Sequence, residues 1–124
     1  MSDRRCPIES TLAIISGKWK ILIMKALAQG PVRYGEISKE IPAVSSKVLT
    51  QQLREMEKDG LIVRKVFPEI PPRVEYSLSK MGASLSSVLG ELRNWGLTED
   101  KVHDVECTYC KKCHDIMFQV RNAQ

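Results

Sequence analysis

Long apolar runs are missing from this chain of 124 residues, and aromatic residues make up only 6% of it. A membrane-spanning helix needs roughly 20 consecutive apolar residues, and no segment approaches that length. The N-terminal stretch also lacks the apolar core of a signal peptide. We therefore expect a cytoplasmic protein that has no membrane partner.

Motifs that carry enzymatic chemistry are also missing. We find no Gly-rich phosphate loop, no serine–histidine–carboxylate arrangement and no paired carboxylates in a plausible pocket. The Cys107-x-x-Cys110 spacing does occur in thiol oxidoreductases, but there it follows a strand in a βαβ unit, which this sequence lacks. We therefore expect a protein that is not an enzyme, with a thiol oxidoreductase as the less favoured alternative.

Cysteine is confined to the two ends of the chain, and a cytosolic protein is not expected to link such residues in a disulfide framework. The C-terminal group contains candidate zinc ligands, namely His103, Cys107, Cys110, Cys113 and His114. On a helix over 99–119, four of them would form a column about 16 Å long, too long for one zinc ion. A neighbouring pair such as Cys107 and Cys110 could still share a metal with ligands from elsewhere. Metal binding, redox sensing and inert thiols therefore stay open, and we expect no cofactor other than zinc.

Composition and charge fit one small folded domain. The hydrophobic content of 43% is enough to build a core rather than a disordered chain. The net charge of +4 gives a modest attraction to phosphate, which by itself does not establish DNA binding.

Segment 45–60 predicts a helix with two different faces. At about 100° per residue, Leu49, Leu53 and Met56 form one apolar stripe. Polar and basic residues gather on the opposite side: Lys47, Thr50, Gln51, Arg54 and Lys58. Ser45 can cap the N-terminus, and Gly60 can end the helix in a left-handed conformation. One face can be buried while the other contacts DNA, although a merely solvated basic face is the alternative interpretation.

The flanking segments complete a winged helix-turn-helix. Segment 34–41 predicts a short helix that Pro42 ends, and 61–67 with 73–78 predict a β-hairpin with a proline-rich tip. In the second strand Val74, Tyr76 and Leu78 should face the core, and the residues between them should face water. In a winged helix the second helix of the motif enters the major groove and the hairpin, or wing, contacts the flanking backbone.

Further helices are expected on both sides of this unit. The apolar residues of spans 7–16 and 18–29 follow helical spacing, and Gly17 is expected to separate two helices. These apolar residues, Leu12 among them, are expected to lie in the hydrophobic core. After Ser79, a helix carries a broad apolar face: Met81, Leu85, Val88, Leu89, Leu92 and Trp95. That face packs either on the same subunit or on a second one, and dimerisation is favoured because so short a chain has little else to cover it.

Several spaced motifs carry a family resemblance: Cys6-Pro7-Ile8, Gly17-Lys18-Trp19-Lys20, Leu49-Thr50-Gln51-Gln52-Leu53-Arg54, Asp59-Gly60-Leu61 and Pro71-Pro72-Arg73-Val74-Glu75-Tyr76. On these residues the chain resembles the HxlR family of bacterial winged-helix transcriptional regulators, within the MarR-like group. The resemblance implies a homodimer that binds an operator, usually a repressor, and in some members an N-terminal cysteine that senses electrophiles or oxidants. The expected fold is mainly α with a small β-hairpin, in which N- and C-terminal helices dimerise. We divide the chain into a DNA-binding domain, 1–96, and a helical cysteine-containing tail for dimerisation or sensing, 97–124.

Side-chain chemistry assigns the predicted DNA contacts. Gln51 is suited to an adenine edge, and Arg54 and Lys47 to guanine or phosphate. The remaining candidates are backbone contacts: Arg33, Tyr34, Ser45, Ser46, Thr50, Arg64 and Arg73. A winged helix that binds proteins and no DNA is the rival hypothesis.

Cys6 is the preferred candidate for a sensor of oxidants or electrophiles. Its neighbours Arg4 and Arg5 are cationic and a helix is expected to begin at Pro7, two influences that favour the thiolate. The alternatives are an unreactive thiol kept for packing and a metal-responsive regulator that uses Cys107, Cys110 and Cys113.

Overall fold

A computed structural model describes residues 6–98 of the chain. Within this range the chain forms five helices and a three-stranded antiparallel sheet, in the order α1 (Pro7–Ile15), α2 (Lys20–Ala26), β1 (Val32–Arg33), α3 (Tyr34–Glu40), α4 (Ser46–Lys58), β2 (Ile62–Phe67), β3 (Arg73–Leu78) and α5 (Lys80–Thr98). None of the described helices combines the length and apolar character needed to cross a membrane. The predicted helix over 99–119 and its metal-ligand candidates lie outside the described residues.

The two N-terminal helices are shorter than the sequence predicted. Cys6 caps α1, since its Sγ accepts from the Glu9 amide at 3.4 Å while Glu9 Oε1 accepts from the Cys6 amide at 3.1 Å. Gly17 separates α1 from α2 with a φ of +109°, a backbone conformation that residues with a Cβ rarely adopt. Helix α2 ends at Ala26, three residues early, because the backbone tightens into short i→i+3 bonds before Gly30.

Helices α3 and α4 form the predicted helix-turn-helix. Helix α3 ends at Glu40, shortly before Pro42, which cannot continue a helix. Ser45 Oγ accepts from the Val48 amide at 3.2 Å and so caps α4. Gly60 follows the end of α4 with a φ of +83°, as expected.

The sheet contains one strand more than the sequence predicted. Its order is β1–β3–β2, so β3 is central, and Val32 and Arg33 pair with Tyr76 and Glu75. The predicted hairpin is confirmed, since β2 pairs antiparallel with β3 along its whole length. The added strand β1 was not predicted, because a two-residue strand has no measurable periodicity. The predicted division of β3 into a buried and a wet face was wrong, because every residue of this central strand is partly buried.

The core lies between the inner faces of the helices and the base of the wing. The apolar stripe of α4, Leu49, Leu53 and Met56, is at most 1% exposed. It belongs to a cluster with the following residues: Ile15, Leu22, Ile23, Met24, Leu27, Ile37, Ile41, Val44, Leu61, Ile62 and Leu89. Burial of one face of α4 fixes which side chains the opposite face presents to solvent.

Helix α5 starts close to the wing. Ser79 Oγ accepts from the Gly82 amide at 3.0 Å and donates to the Gly60 carbonyl, so the predicted cap also ties α5 to the end of α4. A Cβ on Gly82 would overlap the Leu61 carbonyl oxygen. Gly82 therefore allows α5 to lie directly against the backbone of Leu61.

Candidate nucleic-acid interface

The exposed side of α4 is a shallow concave surface of polar side chains. It is lined by six residues, which we call the recognition face: Ser46, Lys47, Thr50, Gln51, Arg54 and Glu55. Five of the six were predicted from the sequence, and Lys47, Gln51 and Arg54 are exposed. Gln52 is half-buried beside the apolar stripe, which leaves Gln51 as the outward-facing amide. The arrangement offers hydrogen-bond donors of the kind that address base edges and phosphates.

Glu55 is the member of the recognition face that sequence analysis missed. Its Oε1 forms an ion pair of 2.9 Å with Nζ of Lys20, whose side chain is only 9% exposed. The Lys20 hydrogen bond and charge hold the pKa of Glu55 below its ordinary value, and the Gln51 amide donates to Oε2 at 3.5 Å with the same effect. The i,i+4 spacing of Gln51 and Glu55 could have suggested their contact. The Lys20 contact joins two separate helices and has no local sequence signal.

Tyr34 and Arg33 lie at the start of α3, beside the recognition helix α4. The Tyr34 hydroxyl donates to the Ser46 carbonyl at 3.1 Å and lies 3.3 Å from Thr50 Oγ1. Arg33 is exposed and precedes α3 directly. Tyr34 therefore links both helices of the motif at the position where DNA contacts are expected.

A second recess separates α4 from the wing. It is lined by Tyr34, Thr50, Arg54, Glu57, Arg64 and Tyr76. Arg64 is exposed and lies opposite Tyr76 across the β2–β3 ladder. Two guanidinium groups and several hydroxyls around one recess can hold a phosphate group, with Glu57 as the opposing charge.

Arg73 is engaged within the wing. Its Nη2 and Nη1 lie 2.9 Å from carboxylate oxygens of Glu69 and Glu75, and its guanidinium lies 3.9 Å from the ring centroid of Phe67. The side chain is 26% exposed. Sequence analysis grouped Arg73 with Arg64, but in the structure the Arg73 charge is offset by two acids whereas Arg64 borders the recess.

An apolar surface is exposed where α1 and α5 meet. Side chains from α1 and α5 line a common groove, and five of them, which we call the α1–α5 apolar surface, are about half exposed or more: Ile8, Leu12, Val88, Leu92 and Trp95. The expectation that Leu12 lies in the core was wrong, because its side chain lines this groove and is 53% exposed. Leu89 is the α5 residue that packs into the core of the subunit, at 3% exposure.

The cysteine predictions divide between described and undescribed residues. Cys6 is exposed and is a free thiol at the N-terminus of α1. Residues 6–98 contain no group of three or more His, Cys, Asp or Glu side chains that could hold a metal ion. The predicted ligands His103, Cys107, Cys110, Cys113 and His114 fall outside that range.

A helix-turn-helix followed by the β2–β3 wing, with a donor-rich recognition helix, defines a winged-helix DNA-binding protein. A model of the HxlR-like helix-turn-helix family matches residues 14–104. The chain is 45% identical over 91 residues, 73% of this chain and 71% of the relative, to the uncharacterized HTH-type transcriptional regulator YdeP of Bacillus subtilis. The chain belongs to the HxlR family of transcriptional regulators.

Solved structures of redox regulators resemble this fold. The redox regulator HypR in its reduced form is 36% identical with a TM-score of 0.74, covering 80% of this chain and 99% of that one. Diamide-treated YodB from Bacillus subtilis is 36% identical with a TM-score of 0.67, covering 76% and 94%. At 36% identity, the likeness of the chain to each of these two proteins extends to the sequence as well as the fold.

Proposed function

We propose that the chain acts as a homodimeric repressor, which binds a two-fold operator through the recognition face and responds to oxidants or electrophiles at Cys6. The observation that carries the proposal is the division of α4. Its apolar stripe is completely buried, while Lys47, Gln51 and Arg54 project from the opposite side. A helix fixed in this way can enter the major groove without rearrangement.

DNA contacts divide into base and backbone contacts. Gln51 is placed to read an adenine edge, and Lys47 and Arg54 to reach guanine or phosphate. Arg64 and the second recess are suited to the flanking phosphates, and the backbone contacts are completed by Arg33, Tyr34, Ser45, Ser46 and Thr50. Arg73 serves this interface chiefly by holding the wing in shape, because its charge is already paired.

The homodimer is supported by the α1–α5 apolar surface. Val88, Leu92 and Trp95 are between 51% and 63% exposed on one side of α5, next to Ile8 and Leu12 of α1. Such a contiguous patch is unfavourable in water and is relieved when a second copy covers it. A two-fold dimer then presents two α4 helices to half-sites about one turn of DNA apart, roughly 34 Å.

Cys6 is proposed to couple thiol chemistry to this dimer, and the capping contact of its sulfur supports that role. Its Sγ accepts from the Glu9 amide, so a modified sulfur disturbs the cap of α1 and with it the position of Ile8. An electrophile forms a carbon–sulfur bond to the thiolate. An oxidant such as diamide takes two electrons and two protons from Cys6 and a second thiol, which leaves a disulfide and a hydrazine. The second thiol is Cys6 of the other subunit or a cysteine of tail 97–124.

Selection of bound duplexes from a random pool tests the proposal. Reduced wild-type protein should enrich a two-fold sequence, and diamide treatment should lower the affinity for it. A Cys6→Ser variant should enrich the same sequence and keep its affinity after diamide. Binding that shows no sequence preference and no steep decrease with salt would contradict DNA recognition, and equal diamide sensitivity of both proteins would contradict the role of Cys6.

A further inference from the structure

We infer that Glu55 is a specificity-determining residue, which accepts a hydrogen bond from the exocyclic amino group of an operator base, and that buried Lys20 positions it. This inference deepens the proposed function and depends on it. It assigns a side chain that can only accept to a recognition face whose other five members can all donate.

The position of Glu55 on α4 allows it to contact a base. It lies one helical turn after Gln51 on the exposed side of α4 and lines the same concave surface as Lys47 and Arg54. Lysine and arginine can only donate, and so they address guanine or phosphate. Cytosine and adenine each present an amino group in the major groove, which a carboxylate oxygen can accept. Glu55 supplies that acceptor.

The two carboxylate oxygens of Glu55 have different contacts. Oε1 is held at 2.9 Å by Lys20, whereas Oε2 has a long contact of 3.5 Å with the Gln51 amide. A bond of that length is weak and easily shared or replaced. The side chain is 43% exposed, which leaves room for an approaching base. One oxygen is therefore anchored and the other is available on the side of Gln51.

Lys20 offsets the repulsion between the Glu55 carboxylate and the phosphates of DNA. An unpaired Glu55 would repel the phosphates on either side of the groove, and the Lys20 ammonium offsets that charge from behind. Lys20 itself is only 7% exposed as a residue, so it cannot act as a phosphate contact. Because its charge is removed from water, it needs the Glu55 partner as much as Glu55 needs it. Lys20 is thus a positioning residue that acts through Glu55.

The test compares the selected operators and the affinities of three single variants and one double variant. Glu55→Gln should lower the preference at one position of each half-site, a cytosine or an adenine in the wild-type operator, by about tenfold while the other positions are kept. Glu36→Gln is the matched control, since it removes the same charge from an exposed residue of the neighbouring helix α3 that lines neither the recognition face nor the second recess. It should leave the preference at that position unchanged.

Lys20→Met should reduce the preference at the same position and weaken binding to all duplexes more strongly at low salt, because it leaves the Glu55 charge uncompensated. The double variant Lys20→Met/Glu55→Gln removes both charges of the pair, so neither charge is left without its partner. It should therefore fold and should select DNA like Glu55→Gln alone.

Two outcomes would overturn the inference. One is a Glu55→Gln variant that binds all sequences more weakly but keeps the wild-type preference at every position, since Glu55 would then be only an anchor for α4. The other is a double variant whose preferences differ from those of Glu55→Gln. If the wild-type protein itself selects no sequence, the failure belongs to the proposed function rather than to Glu55.

Discussion

The hydroxyl of Tyr34 donates a hydrogen bond of 3.1 Å to the backbone carbonyl of Ser46 and lies 3.3 Å from the side chain of Thr50. The first helix of the motif is thus fastened to the first turn of the recognition helix by one side chain. Any DNA contact in that turn depends on this bond as well as on the packing of the core.

Replacing Tyr34 with Phe keeps the ring but removes the hydroxyl. We expect the free energy of unfolding to fall by about 1 kcal/mol and the operator affinity to fall several-fold. Urea unfolding and DNA titration measure the two effects. Tyr76→Phe is the control for stability, because the Tyr76 hydroxyl makes no hydrogen bond within residues 6–98. An equal loss in the free energy of unfolding for both variants would contradict the role of the Tyr34 hydroxyl.

The two wing arginines should behave differently. Arg64→Gln should weaken binding to all sequences alike and flatten the salt dependence by about one unit, as the loss of one phosphate contact does. Arg73→Gln frees Glu69 and Glu75 and should lower stability and affinity through a loosened wing, with a smaller change in salt slope than Arg64→Gln. Affinities at several salt concentrations separate the two effects. A larger slope change for Arg73→Gln would assign the phosphate contact to Arg73 instead.

Gly82 is expected to tolerate no larger side chain. Gly82→Ala forces a Cβ against the Leu61 carbonyl oxygen, and the backbone on both sides must move. We expect a loss of about 1–3 kcal/mol in the free energy of unfolding. In Gly35→Ala the new methyl group meets nothing within 4 Å, so this helical variant should be at least as stable as the wild type. Thermal or urea unfolding of both variants decides the matter.

The α1–α5 apolar surface predicts the effect of charge on assembly. Leu92→Glu, at a residue that is 53% exposed, should convert the proposed dimer into a folded monomer and lower operator affinity at least tenfold. Val63→Glu places the same charge on an apolar wing residue of 48% exposure and should leave the protein dimeric. Sedimentation or light scattering measures the mass. A Leu92→Glu dimer would locate the interface elsewhere.

The Lys20–Glu55 pair predicts a pH dependence in the acidic range. Lys20 lowers the pKa of Glu55 below its ordinary value of 4.5, so the folded state favours the ionised carboxylate. This contribution to stability is complete above pH 4.5 and is lost as the pH falls through the lowered pKa. The stability difference between wild type and Glu55→Gln should therefore be largest near neutral pH and shrink below pH 4.5. A difference that stays constant with pH would show that the charge is not responsible.

Much of the DNA-binding unit could be predicted because its signals are local. Ser45, Gly60 and Pro42 mark the helix boundaries through a cap, a left-handed conformation and a missing amide, each of which depends on neighbours only. The apolar stripe of α4 needs no more than helical geometry to separate its two faces. Four residues of the recognition face followed directly from that separation, namely Lys47, Thr50, Gln51 and Arg54.

The parts that escaped prediction depend on residues distant in sequence. Strand β1 exists because Val32 and Arg33 meet Tyr76 and Glu75, more than forty positions away. The expected hairpin gained a third strand for this reason, and β3 lost its wet face. Leu12 lies outside the expected core, in the groove that α1 forms with Val88 and Leu92 of α5.

The sequence by itself determined where the helices of the reading unit begin and end and which side of α4 is polar, because caps, prolines and periodicity act over one or two turns. Tertiary structure alone decided that Lys20 meets Glu55 and that Val32 and Arg33 pair with β3. Those outcomes depend on how separate elements pack, and burial decides which charges are paired and which remain available for DNA.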